Sequence, residues 1–193
     1  MAKKVLVILG HPSKQSFNNA LAEAYAEGAK KAGAEVQKLA ISDLKFDPIL
    51  HDGYNRIQEL EPDLKKAQEL IRWAEHIVWV YPTWWASMPA LMKGFIDRIF
   101  LPGFAFNFRK GSPLWDKHLK GRTSHLIVTM GGPPLYYRFA LFSPGIRMMD
   151  KGTLGFCGIK VKCRTIIGRI RKLPREKVDE YCAIIRKKGE KLL

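Results

Sequence analysis

Two rhythms of apolar residues alternate along the chain. Short runs such as Val5-Leu6-Val7-Ile8-Leu9 and Ile77-Val78-Trp79-Val80 read as buried strands, and the longer stretches between them repeat their apolar positions at helical spacing. The pattern predicts strands over 4–9, 34–41, 76–81, 122–130 and 159–167. It predicts helices over 16–31, 63–74, 89–100 and 136–150, with a last helix starting near Pro174. Ser16 suits a cap at the start of the first helix, and Gly33 a stop just after its end. In the last helix Val178, Tyr181, Cys182 and Ile185 share one face. Residues 101–121 form a longer connection rich in Gly, Pro and aromatics, of the kind that usually serves function or is mobile. No internal repeat or low-complexity linker divides the chain, so 1–193 reads as a single domain.

The alternation argues for βαβ units and a mainly parallel sheet with helices on both faces. Five such strands suit an α/β three-layer sandwich of flavodoxin-like topology, with a five-stranded parallel sheet of order 2-1-3-4-5. In that topology ligand loops follow strands one, three and four, and these are the places where the sequence becomes unusual. After strand one, the loop from Gly10 to Asn18 is neither a Walker loop nor a G-x-G-x-x-G turn. It still ends at a helix N-terminus, where free N–H groups and the dipole favour an anion such as a flavin phosphate or pyrophosphate. Ser13, Ser16 and Asn18 add neutral donors there, and His11 and Lys14 can add charge. Plain helix capping by Ser16 or Ser13 accounts for the same residues equally well.

After strand three, Trp84 and Trp85 stand in a loop bracketed by Pro82 and Pro89. Aromatic faces and backbone N–H groups at a strand end suit a flat, polar-edged ring, and the loop reads as a flavin-ring site. Aromatic packing is the plainer alternative. After strand four, Thr129-Met130-Gly131-Gly132 brings paired glycines whose backbone can approach a ligand closely. Tyr137 or Tyr136 could then donate a hydrogen bond to the ring or to a substrate carbonyl.

Composition narrows the class. Apolar content is 47% and charged content 26%, ordinary for a soluble globular protein. No apolar run approaches the roughly 18 to 20 residues of a membrane span, and the opening run is too short for a signal peptide, so a cytoplasmic protein is expected. Cys157, Cys163 and Cys182 have no paired spacing, which gives neither a disulfide framework nor a metal site. The formal net charge of +15 favours anionic partners, with much of the excess lying late in the chain. No zinc-finger spacing or RNA-binding aromatic motif accompanies that charge, which reads as a solvated basic face and not as a specific nucleic-acid site. His51, His76, His118 and His125 receive no role, and Asp97 and Arg98 read as helix-surface or interface contacts.

Together these motifs resemble the NAD(P)H:quinone oxidoreductases of the flavodoxin-like fold, the DT-diaphorase group and its short bacterial relatives. The resemblance runs through His11 with Ser16-Phe17-Asn18, the 82–98 segment, Gly103-Phe104-Ala105-Phe106, Thr129 to Gly132, and Gly155-Phe156-Cys157-Gly158. It implies two-electron hydride transfer from NAD(P)H through a bound flavin to a quinone or similar small acceptor. It also implies a homodimer with a flavin at each of two interface sites. His11, Ser16, Phe17 and Asn18 would hold the phosphate and adenylate side. Pro82, Thr83, Trp84 and Trp85 would border the ring, and Thr129, Met130, Gly131 and Gly132 would meet its pyrimidine end. Tyr137 would be the catalytic proton or hydrogen-bond donor. Ser143 takes the place of a histidine proposed to relay protons with that tyrosine. The family uses FAD in some branches and FMN in others, and the Ser16-Phe17-Asn18 element favours FAD. Two other classes stay open: an electron carrier of flavodoxin type, and a regulatory or binding subunit that uses its basic face.

Overall fold

The computed structural model describes residues 2–193, with Met1 lying outside them. The strands β1 (Lys4–Leu9), β2 (Glu35–Ala40), β3 (His76–Pro82), β6 (Thr123–Thr129) and β7 (Lys160–Ile167) form one parallel sheet of order β2-β1-β3-β6-β7. Two further strands within the long connection, β4 (Phe106–Phe108) and β5 (Trp115–Lys117), pair antiparallel as a separate hairpin. Counted within the main sheet, the order is the predicted 2-1-3-4-5, and the hairpin is the addition that apolar periodicity did not reveal.

Helices α1 (Phe17–Lys31) and α6 (Arg175–Glu190) cover one face, and α2 (Pro62–Trp73) and α3 (Ala90–Ile99) the other. Side chains alternate across the pleat, so Val5, Val7, Leu9, Val78 and Val80 pack under α1 and α6, while Leu6, Ile8, Ile77, Trp79 and Tyr81 pack under α2 and α3. β3 is buried along its whole length, as a central parallel strand covered on both faces should be.

The two helices on the first face approach closely through glycines. A Cβ on Gly28 would run into the Arg186 carbonyl, and one on Gly189 into the Tyr25 carbonyl. Arg186–Glu27 at 2.8 Å and Lys31–Glu190 at 2.8 Å flank that seam. Beneath it lies a polar cluster that the sequence left without a role. His76 and His125 are fully buried and both pack on the Tyr25 ring. His76 meets the Tyr25 hydroxyl at 3.1 Å and Thr123 Oγ1 at 2.7 Å, and Tyr25 donates to the Leu193 carbonyl at 2.9 Å. His125 meets Thr165 Oγ1 at 2.8 Å. Burial, with Lys3 as a lesser cause, lowers the His76 pKa to about 4. Burial, then Lys188 and His76, lowers that of His125 to about 3.

Two expectations are corrected. Arg98 is no surface residue: its guanidinium is fully buried and bonds Glu61 at 2.9 Å, the Glu59 carbonyl at 3.0 Å and the Asp47 carbonyl. It thereby anchors the irregular 44–61 segment to α3. The helix predicted over 136–150 is instead split into α4 (Pro134–Phe139) and α5 (Pro144–Arg147), the latter running on into a π-helical segment, Met148–Gly155. The split falls at Phe142 and Ser143, both with positive φ (57° and 50°), and the hydroxyl contacts of Tyr137 hold it there.

Gly28→Ala should therefore cost about 1–3 kcal/mol, since rigid backbone faces the added methyl, and a denaturant melt would show it. The two histidines fix a pH dependence. Both are neutral in the fold and ordinary near 6.5 when unfolded. The unfolded chain thus binds more protons as pH falls through that window. Stability should hold above about pH 6.5 and decline from there towards 4, with a limiting slope of about 1.4 kcal/mol per pH unit for each imidazole. Melts at a series of pH values check this.

Candidate functional site

Three chain crossings meet at the carboxyl edge of the sheet. β1 leaves through Gly10, whose N–H donates to the Val80 carbonyl at 2.8 Å. A side chain at Gly10 would press on Met92 and Tyr81, so glycine lets β1 leave this close to α3. Pro82 ends β3 directly opposite Thr129, and the Thr83 N–H donates to the Thr129 carbonyl at 2.6 Å. Beneath the crossing, buried Asn18 and Thr129 exchange hydrogen bonds at 3.0 and 3.1 Å, tying the start of α1 to the end of β6.

Residues 84–87 form a tight turn. Trp84 and Ser87 exchange backbone bonds at 2.9 and 3.0 Å, and Trp85 and Ala86 between them have φ of 49° and 60°. Such mirror-type turns ordinarily take Gly or Asn, and each non-glycine residue held there costs on the order of 1 kcal/mol. Tyr137 fastens the turn. Its hydroxyl donates to the Ala86 carbonyl at 3.2 Å and accepts from the Gly145 and Ile146 N–H groups at 3.0 and 3.3 Å. Burial pushes its phenol pKa up, and the Ile146 and Gly145 N–H groups pull it part of the way back. Trp84 stands edge-on to His11 with centroids 5.9 Å apart, and Trp85 is fully exposed.

After β6, Gly131 and Gly132 lie exposed, and among the described residues no acceptor meets their N–H groups. At α1, Ser16 accepts from the Asn19 N–H at 3.2 Å as a cap, and among the described residues the Phe17 and Asn18 N–H groups meet no acceptor. The edge therefore presents unpaired N–H groups at two places with two indoles nearby. The β7–α6 connection folds back on it: the Arg169 N–H donates to the Gly132 carbonyl at 3.1 Å. The Arg171 side chain lies against Gly131, its Nε 3.0 Å from where a Cβ would stand. In sequence both arginines belong to the charge excess late in the chain, and nothing local marks them for this edge. A Cβ at Gly168 would run into Pro134 and the Gly132 carbonyl, so this connection passes close against the loop after β6.

The structure thus gathers His11, Asn18, Pro82, Thr83, Trp84, Thr129, Gly131 and Gly132 at one edge. Other predicted residues are engaged elsewhere. Ser16 serves as the helix cap, and Phe17 packs on Tyr181 at 6.2 Å. Met130 sits in the core and gives its N–H to the Ile167 carbonyl at 2.8 Å. Lys14 pairs with Asp43 at 2.7 Å and His11 Nδ1 accepts from the Ser13 N–H at 2.9 Å. The Tyr137 hydroxyl, the expected proton donor, is engaged by backbone: it donates to the Ala86 carbonyl and accepts from two N–H groups. Tyr136, 60% exposed, is the phenol of this loop that faces outward. Burial pushes the Cys157 thiol up to about 12, which leaves it unionised.

A hollow of about 570 Å³ lies to one side, lined by Ile96, Phe100, Phe106, Phe108, Phe156 and Cys157. It opens between α3, the β4–β5 hairpin and the π-helical segment, away from the three loops. Among the described residues, no helix is long and apolar enough to cross a membrane.

Comparison with known proteins agrees with this architecture. Residues 3–187 match the family model described as flavodoxin-like fold. The chain is 30% identical over 187 residues to NAD(P)H dehydrogenase (quinone) 1 of Cavia porcellus, covering 82% of this chain and 66% of that protein. It is 29% identical over 185 residues to ribosyldihydronicotinamide dehydrogenase (quinone) of Mus musculus, covering 82% and 78%. The crystal structure of Smu.1420 from Streptococcus mutans UA159 superposes with a TM-score of 0.80 at 26% identity, covering 97% of this chain and 99% of that one. The chain spans about two thirds of the length of the Cavia porcellus protein. Sheet order, loop placement and a match over nearly the full length lead to one conclusion: the chain belongs to the flavodoxin-like family of NAD(P)H:quinone oxidoreductases.

Proposed function

We propose that this chain is a flavin-dependent NAD(P)H:quinone oxidoreductase working as a homodimer, with a quinone or similar small molecule as acceptor. The observation that carries the reading is the pairing of free N–H groups at Gly131–Gly132 with free N–H groups at the start of α1, the indoles of Trp84 and Trp85 standing nearby. That donor set fits a flat, polar-edged ring with an anionic tail. A flavin bound there supplies the two-electron chemistry between nucleotide and acceptor.

The chain's own residues hold, orient and shield. Gly131 and Gly132 bring N–H donors to the ring's pyrimidine edge without a side chain in the way. Pro82, Thr83, Trp84 and Trp85 form the wall along its length. The Phe17 and Asn18 N–H groups, with His11 beside them, meet the phosphate. FAD is the flavin proposed, because the Phe17–Tyr181 pair beside the α1 start offers an aromatic surface to an adenylate. Tyr137 positions the 84–87 turn, and Tyr136 is the hydrogen-bond donor to a bound substrate. The apolar hollow by α3, with Phe108 and Tyr54 each 69% exposed beside it, supports a second copy on that face.

Purified protein should be yellow, release FAD on denaturation, and oxidise NAD(P)H steadily only with a quinone present. A folded preparation that never takes up flavin overturns the reading, and release of FMN alone corrects the cofactor. Gly131→Val should weaken flavin binding at least about tenfold by closing the N–H approach, with little change in melting temperature. Tyr137→Phe should destabilise the fold by about 1 kcal/mol, since the Ile146 N–H loses its acceptor while the Ala86 carbonyl and the Gly145 N–H keep each other at 3.1 Å. Tyr136→Phe should leave the melt unchanged and lower kcat/KM several-fold. Melts and steady-state kinetics on the two variants separate positioning from catalysis.

A further inference from the structure

The α4 region carries an exposed apolar cluster of which the proposed site uses Tyr136 alone. Within 135–142, Leu135, Tyr136, Phe139 and Phe142 are each 60–69% exposed, and Leu141 is 38% exposed. Large apolar side chains so closely spaced on an exterior mark a contact with a membrane or another protein. They stand beside cations. Arg138 stacks over Phe139 at 5.4 Å, Arg147 follows in α5, and Arg169 and Arg171 reach the same edge from the β7–α6 connection. Among the described residues none of these four arginines has an ion-pair partner. From 117 to 175 the chain has thirteen Lys and Arg and a single carboxylate, Asp150, which is buried and bonded to Arg164.

From this we infer that the 135–142 loop is a membrane-surface anchor, which seats the carboxyl edge of the sheet on an anionic lipid bilayer. Phenylalanine and leucine enter the headgroup–acyl boundary, the tyrosine ring sits at headgroup level, and the arginines meet lipid phosphates. Charge complementarity selects an anionic lipid surface, because the segment combines a cationic excess with apolar side chains that a nucleic acid would not bury. Arginine stems cover apolar surface while their heads stay in the polar layer, which suits the Arg138–Phe139 stack. Seated this way, the 84–87 turn and Gly131 face the bilayer. If the reductase reading holds, an acceptor dissolved in lipid reaches the site without crossing water.

Co-sedimentation of the full chain with vesicles tests the inference without substrate, so its failure leaves the reductase reading untouched. With vesicles of phosphatidylcholine containing about one third phosphatidylglycerol, binding should exceed that to pure phosphatidylcholine at least about tenfold. It should weaken as salt is raised. F139S/F142S should lower partitioning at least about tenfold while circular dichroism and melting temperature stay as in the parent. R138Q/R147Q should lower it in the same direction. Four outcomes overturn the inference: no vesicle binding; equal binding to both vesicle types; binding indifferent to F139S/F142S; or capture of duplex DNA in place of vesicles. A fifth is F139S/F142S turning a dimer into a monomer on sedimentation, which would give the loop to a second copy of the chain.

Discussion

The in-register ladder between β3 and β6, from His76 opposite Thr123 to Pro82 opposite Thr129, is the constraint on which the site depends. Because side chains alternate with a period of two, a slip of one residue would send Trp79 and Tyr81 to the wrong face and move Thr129 away from Asn18. The ladder instead delivers Thr83 and Gly131 to the same edge, and β1 pairs on the other side of β3 to bring Gly10 and the start of α1 alongside. The Asn18–Thr129 pair joins elements more than a hundred residues apart in sequence, with both polar groups satisfied where water is excluded. The geometry of this edge is thus a consequence of sheet register, and the loops only decorate ends that the register has already placed.

Local strain is concentrated at that edge and nowhere along the strands. Trp85, Ala86, Phe142 and Ser143 all hold positive φ, and the Tyr137 hydroxyl bonds Ala86 in the first kink and Gly145 and Ile146 just past the second. A tyrosine with three backbone partners is a brace that keeps two unfavourable backbone conformations in one arrangement. The π-helical segment that follows belongs to the same irregular stretch. Its bulge sits where Asp150 reaches Arg164 on the edge strand β7, so the extra residue in the turn goes with an ion pair across elements.

Much of this was legible beforehand, and the exceptions have physical reasons. Strand runs such as Val5 to Leu9 are apolar on both faces, so their number and order followed from the alternation with helical stretches. Ser16 and Gly33 likewise announced the ends of α1, because capping chemistry is local. Arg98 was misread since a charge on a helix signals solvent unless its partners are known, and Glu59, Glu61 and Asp47 lie far upstream. The 136–150 helix was misread because Tyr136 to Met149 is apolar enough to sustain helical periodicity, while the break at Phe142–Ser143 comes from hydrogen bonds to Tyr137. The β4–β5 hairpin was too short to show a period, and His76 and His125 gave no sign in sequence of meeting one tyrosine. At the carboxyl edge, the placement of the glycines and tryptophans was legible by position after a strand. Arg171 was not, since only the fold brings it to Gly131.

The full exposure of Trp85 has an optical consequence. Its indole emits from water, whereas Trp79, sealed in the core beside Phe100, emits from an apolar and rigid surrounding. Among the five tryptophans these two mark the extremes of environment, one at the rim of the cleft and one in the sheet. A molecule settling over the rim alters the red side of the emission most, where Trp85 and half-exposed Trp84 contribute, so occupancy can be followed without any attached dye.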